Sequence, residues 1–348
     1  MRRRATDREF FAKQEPKSDF LQTPVSRRSF LRIAGQMAAV AAVGDTVEGE
    51  IIWGGTNPEI HTLYDKEAER KFPDTYTLAI GGFNVANVEG LGEAVQAVFP
   101  GYGQVAYLEE AANGLHMGDI EREVTNFIKK NNVQRLRLYG HSMGGMVAID
   151  LASRLKDKTN LEAIILDCTP ASWEDVRGAK QTGTWLLHAS DEMNLHLGPG
   201  ARAAMEAISP MLDGNSDFLE ACLNAMRKVS SPDDICSNKL VQAQASFIRT
   251  FDINDFKGKF NESTHILRLR PKEYDADTTV NNETSLSRFE KGLRHEIVDL
   301  PIKGSGHANP AQHKEGYRQV LLGAAKDYQF YDGRLRPNIL GRLAIYRK

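Results

Sequence analysis

The chain has 348 residues, 41% hydrophobic and 26% charged, enough apolar material for a sizeable core in one large domain or two small ones. Its 44 Lys and Arg against 46 Asp and Glu leave a formal net charge of −2, and with no long basic stripe the balance argues against nucleic acid as a partner. Three cysteines give neither a disulfide framework nor a metal-ligand spacing, and no run of about twenty uncharged apolar residues offers a transmembrane helix.

Residues 1–47 read as a basic leader. Arg2-Arg3-Arg4 opens it, and Ser26-Arg27-Arg28-Ser29-Phe30-Leu31-Arg32 precedes a short apolar stretch, Ile33 to Gly44. A basic segment, a short apolar segment and small residues such as Ala39-Val40-Ala41 follow the order of a secretory signal. SRRSFLR resembles the bacterial twin-arginine motif, which implies recognition by an export receptor and a periplasmic or extracellular location. A disordered basic tail on a cytoplasmic protein is the alternative.

From residue 48 the pattern alternates short strand-like and longer helix-like runs, which predicts a mostly parallel central sheet with helices on both faces. Strands are expected at Val47–Trp53, Glu59–Tyr64, Tyr76–Ile80, Gln104–Leu108, Val133–Tyr139, Leu161–Leu166, His265–Leu269 and Glu296–Leu300. Helices are expected at Glu89–Phe99, Asp119–Lys130, Met143–Leu155 and Gln312–Tyr328. This core covers 48–170 and 261–328; residues 329–348 form a basic C-terminal tail. Between the two parts, 171–260 carries several helix-like runs and little strand pattern. That is more than one crossover needs, and it predicts an inserted helical cap. Arg135, Arg137, Arg268 and Arg270 alternate with leucines inside strands that should be buried, so carboxylates pair with them or one face is open to water.

Gly140-His141-Ser142-Met143-Gly144-Gly145 joins a strand-like run to a helical run. A G-x-S-x-G in that setting describes a nucleophile elbow: a turn too sharp for side chains beside the serine, with helix N–H groups aimed at charge developing on it. Here the chain resembles the α/β-hydrolase superfamily, with GHSMGG like the elbow of its esterase and lipase branches. The resemblance implies the α/β-hydrolase fold, Ser142 as nucleophile, and an acid and a histidine following it in chain order.

His307, in the glycine-rich loop just past the last strand, is the expected base. The acid is expected after the strand before that. Asp277, whose D-x-x-V spacing to Val280 resembles the family's acid loop, is the first choice; Asp275 and Asp167 are alternatives. An oxyanion needs two positioned N–H donors. The resemblance implies the backbone of Met143 and, from Gly81-Gly82-Phe83, that of Phe83, with Gly82 as fallback. Trp173, Trp185 and Met193 in the expected cap are candidates for an acyl pocket, which points to a small-molecule or lipid-like ester. No H-E-x-x-H, phosphate-cradling loop or Cys/His cluster suggests a metal or organic cofactor. Thioesterase, amidase or acyltransferase chemistry on the same triad is the alternative within enzymes, and a non-catalytic hydrolase-fold binding module the alternative outside them.

Overall fold

The computed structural model describes residues 57–85, 87–99, 103–177, 184 and 236–327. The expected leader, the strand at Val47–Trp53, Trp185 and Met193, the middle of the expected cap and the C-terminal tail lie outside these residues.

Among the described residues seven strands form one sheet: β1 (Glu59–Leu63), β2 (Thr75–Ile80), β3 (Gln104–Glu109), β4 (Arg135–His141), β5 (Leu161–Asp167), β6 (His265–Pro271) and β7 (Ile297–Ile302). Their order is β1-β3-β2-β4-β5-β6-β7. Only the edge strand β1 runs antiparallel, against β3; the other five pairings are parallel. Helices fill the connections: α1 (Lys66–Lys71), α2 (Val88–Val98), α3 (Met117–Lys130), α4 (Met143–Leu155), α5 (Asn238–Thr250), α6 (Asn282–Leu293) and α7 (Lys314–Asp327). Where capping groups are resolved they are of the expected type. Asp65, Asn87, Ser237 and Asn281 each accept from a backbone N–H in the first turn of the helix they precede.

The sheet is buried on both faces because alternate residues feed two separate cores. Leu78, Ile80, Leu136, Leu138, Ile164 and Leu166 point into the larger one, with α3, α4, α6 and the end of α5. Ala79, Tyr139, Ile165 and Leu267 point the other way, against α2 and α7. All six residues of β2 are buried, as both-sided coverage of a parallel strand requires.

The strand arginines do have carboxylate partners. Arg137 Nε reaches Glu162 at 2.6 Å and Arg135 reaches Asp74 at 3.2 Å. Arg268 and Arg270 share Asp299 at 2.8 and 2.7 Å, and Arg268 is fully buried.

The strand order also locates a crevice. The chain leaves β2 toward β3 on one side and leaves β4 toward β5 on the other, so the winding direction reverses between two neighbouring parallel strands. Ligand sites of open α/β sheets form beyond the carboxyl ends of strands at such a switch point. The segments emerging there are Gly81-Gly82-Phe83-Asn84 and the turn at Ser142.

Candidate active site

The turn after β4 is as tight as its glycines suggested. A Cβ on Gly144 would lie 2.3 Å from the carbonyl oxygen of Ile80 and 2.4 Å from that of Gly81. On Gly140 it would strike the Gly145 backbone at 2.3 Å, and on Gly145 the Thr169 hydroxyl at 1.8 Å. Side chains at these positions would push the turn off the end of the sheet. Ser142 itself takes φ 54°, ψ −117°, a conformation that costs a non-glycine residue about 1–3 kcal/mol. Its N–H donates to the Asp167 carbonyl at 2.8 Å, which ties the turn to the end of β5. Ser142 occupies the position before α4 where a serine hydroxyl usually caps the helix, yet its side chain makes no capping bond. The hydroxyl faces His307 instead.

His307 Nε2 lies 3.0 Å from Ser142 Oγ, and its Nδ1 lies 3.0 Å from both carboxylate oxygens of Asp277. The loop that carries His307 is held at several points. Ala308 donates its N–H to Cys168 Sγ at 3.2 Å, and its carbonyl meets His141 Nε2 at 2.8 Å. The Asn309 N–H donates to the Tyr317 hydroxyl at 3.1 Å. Ala308 and Cys168 both have positive φ, 32° and 48°, so the close approach of the loop to β5 is built into strained backbone.

Asp277 is fully buried. Its Oδ1 accepts from the N–H groups of Thr279 and Val280 at 2.8 and 2.9 Å, and its Oδ2 from Asn282 Nδ2 at 2.6 Å. The D-x-x-V spacing thus has a local cause: the carboxylate closes its own turn. Burial alone would raise its pKa, but His307 and the backbone donors outweigh it and hold the carboxyl at about 2. An ionised Asp277 requires the hydrogen on His307 Nδ1, which leaves Nε2 bare to accept from the Ser142 hydroxyl.

The alternatives are placed elsewhere. Asp275 is exposed in a short 3-10 turn, Tyr274–Ala276. Asp167 is buried behind the site, where it accepts from the hydroxyls of Tyr139 and Tyr317, the latter at 3.0 Å. Burial pushes its carboxyl up to about 6 against those hydrogen bonds. Through Tyr317 it supports the His307 loop rather than the imidazole.

Met143 begins α4, so its N–H has no partner within the helix. The carbonyls of Ile80 and Gly81 abut Gly144, which brings the loop holding Phe83 against the first turn of α4. Gly82 packs on His141, with a Cβ there only 2.6 Å from Nδ1. Trp173 lies in a 3-10 turn, half-buried on the larger core, with the Arg249 guanidinium 5.1 Å from its ring.

Sequence reasoning missed Asn282. Arg268 Nη2 donates to its side-chain oxygen at 2.8 Å and its carbonyl at 2.7 Å, which fixes the amide so that its NH2 end faces Asp277. The available signal was Arg268 itself, a charge in a strand that had to be buried.

No protein-family model and no curated protein sequence matches this chain. Solved structures do. A structure from a study of carboxylesterases of the thaumarchaeon Nitrososphaera gargenis superposes with a TM-score of 0.51 at 13% identity, over 77% of this chain and 94% of that one. A proposed aryl esterase from Burkholderia cenocepacia gives the same TM-score and identity, over 77% and 93%. With the strand order and the elbow, these similarities establish that the chain has the α/β-hydrolase fold.

Proposed function

We propose that this protein is a serine hydrolase that cleaves carboxylic esters through an acyl-enzyme on Ser142. The observation that carries the reading is the unbroken line from Ser142 Oγ through both nitrogens of His307 to a buried, ionised Asp277. His307 takes the serine proton as Oγ attacks the ester carbonyl, and Asp277 stabilises the imidazolium that forms. The N–H groups of Met143 and Phe83 receive the oxyanion. The tetrahedral intermediate collapses, His307 returns the proton to the leaving alcohol, and water repeats the sequence to release the acid. The esterase character of the solved structures with this fold supports an ester over other acyl substrates, and the apolar residues of 171–260 favour an apolar or lipid-like one. The leader supports export, which the N-terminal residue of the mature protein tests.

The deciding experiment is labelling of the purified protein by a fluorophosphonate probe beside Ser142→Ala and His307→Ala. Labelling lost in both variants is the expected result. An unlabelled but folded wild type overturns the reading. Turnover of ester, thioester and amide analogues sharing one acyl group then tests the choice of ester.

A further inference from the structure

A second buried polar relay lies on the other side of the elbow, behind the loop that follows β2. The N–H of Asn84, the residue after Phe83, donates to Gln244 Oε1 at 2.9 Å. Gln244 Nε2 donates in turn to Glu110 Oε2 at 2.6 Å. Gln244 is buried in α5, whose apolar face (Leu240, Val241, Ala245) packs on Phe83 and Leu115. Glu110 follows the last residue of β3. β3 runs parallel beside β2, so Glu110 leaves the sheet at the same edge as the loop that follows β2. Glu110 is half-buried as a residue, but its Oε1 is shut off from solvent and has no hydrogen-bond partner among the described residues. Burial pushes the carboxyl up to about 7 against the bond from Gln244.

An amide side chain can present either end to a neighbour, so a glutamine holds a backbone N–H reliably only when something fixes its orientation. Glu110 does so: the carboxyl takes the NH2 end, and the carbonyl end is left for Asn84. Asn84 is in the left-handed region at φ 57° and turns the chain at the end of the loop, and its own Oδ1 accepts from the Cys236 N–H at 3.3 Å. With the peptide between Phe83 and Asn84 pinned in this way, rotation at Phe83 is restricted and the Asn84 N–H is withdrawn from the site.

We infer that Gln244, oriented by Glu110, is a positioning residue for the oxyanion-binding loop. The inference rests on Ser142 being the nucleophile. It accounts for a buried glutamine and carboxyl that the proposed chemistry does not otherwise use.

The test is Gln244→Met, which keeps length and volume and removes both hydrogen bonds, with Glu110→Met as a second variant that frees the amide to turn. Each is assayed on p-nitrophenyl butyrate and on its thionoester, with circular dichroism and Tm to establish folding. Thiono sulfur is the weaker hydrogen-bond acceptor, so a misplaced donor slows the ester more than the thionoester. In Gln244→Met we expect kcat on the ester to fall about 10- to 100-fold with KM within about threefold, and the ester-to-thionoester ratio of kcat/KM to drop at least about fivefold. Glu110→Met moves the ratio the same way by a smaller factor, and decides the matter if Gln244→Met does not fold. A folded, active variant that keeps the wild-type ratio overturns this inference alone. A wild type that neither turns over ester nor takes the fluorophosphonate overturns the proposed function and this inference together.

Discussion

Replacing Asp277 by asparagine keeps the shape of the side chain, and the donors around it dictate how the new amide must lie. The Oδ1 position is fenced by the N–H groups of Thr279 and Val280, which only a carbonyl oxygen can meet. The NH2 group must then take the Oδ2 position, facing Asn282 Nδ2 at 2.6 Å and His307 Nδ1 at 3.0 Å. Asn282 cannot turn its own oxygen toward it, because Arg268 holds that oxygen at 2.8 Å. The amide oxygen, also 3.0 Å from Nδ1, already accepts two backbone N–H groups, whereas the NH2 needs an acceptor, so His307 is driven to bare its Nδ1 and carry its hydrogen on Nε2, where it can no longer take the proton of Ser142. Triads whose acid becomes an amide lose about 10⁴ in kcat, about 5 kcal/mol of barrier. The assay is hydrolysis of a p-nitrophenyl ester at neutral pH, with the rate of fluorophosphonate labelling beside it. Asp167→Asn serves as control and is expected to stay within about tenfold of wild type, since its contacts reach the His307 loop only through Tyr317. Asp277→Asn retaining activity within about tenfold of wild type would refute this account of the proton path.

Four further outcomes follow from the geometry. Asp167 ionises in the folded state only near pH 6, above its ordinary value of 3.8, so stability should fall as pH rises through that window, by up to about 3 kcal/mol; Asp167→Asn should flatten that slope in urea titrations, and an unchanged slope counts against a raised pKa. Asp277 works in the opposite direction, its contribution fading as pH falls from 3.8 toward 2, and Asp277→Asn should remove that acid-side loss. Gly145→Ala should destabilise by at least about 1–3 kcal/mol, because the added methyl meets the Thr169 hydroxyl at 1.8 Å; an unshifted urea midpoint would mean the turn gives way easily. Arg137→Met strands the nearly buried Glu162 and should cost about 3–5 kcal/mol, most of it recovered when Glu162 is also made Met, as a double-mutant cycle would measure.

Much of the fold was legible because parallel strands covered on both faces leave compact apolar runs, and β2 and β5 stand out as such. Two helices did not. In α1 a single buried residue, Ala68, gives no stripe to detect. In α6 the buried face is built partly from Asn282, Ser285 and Gly292, which read as polar or loop-forming. The strand arginines posed a question that sequence could state but not answer, since Glu162 and Asp299 become their partners only when neighbouring strands pair. The site divides the same way. Ser142 and His307 are marked by glycines and by their places after strands. Asp275 and Asp277 differ in which one turns inward, a matter of two residues in a loop. Asn282 and Gln244 belong to no motif, because an amide acquires meaning only from the groups it is held against.

The reversal of winding between β2 and β4 has a consequence for how the protein comes into being. Phe83 arrives from one half of the sheet, and Asp277 and His307 from the far end of the other, some two hundred residues later in the chain. A folding intermediate could therefore hold most of its helices and strands and still be chemically inert. On the proposed mechanism, reactivity of Ser142 requires β6 and β7 to have docked in register, and contacts this distant in sequence are the slow ones to form. In a refolding experiment, covalent capture of Ser142 would act as a clock for the final closure of the sheet.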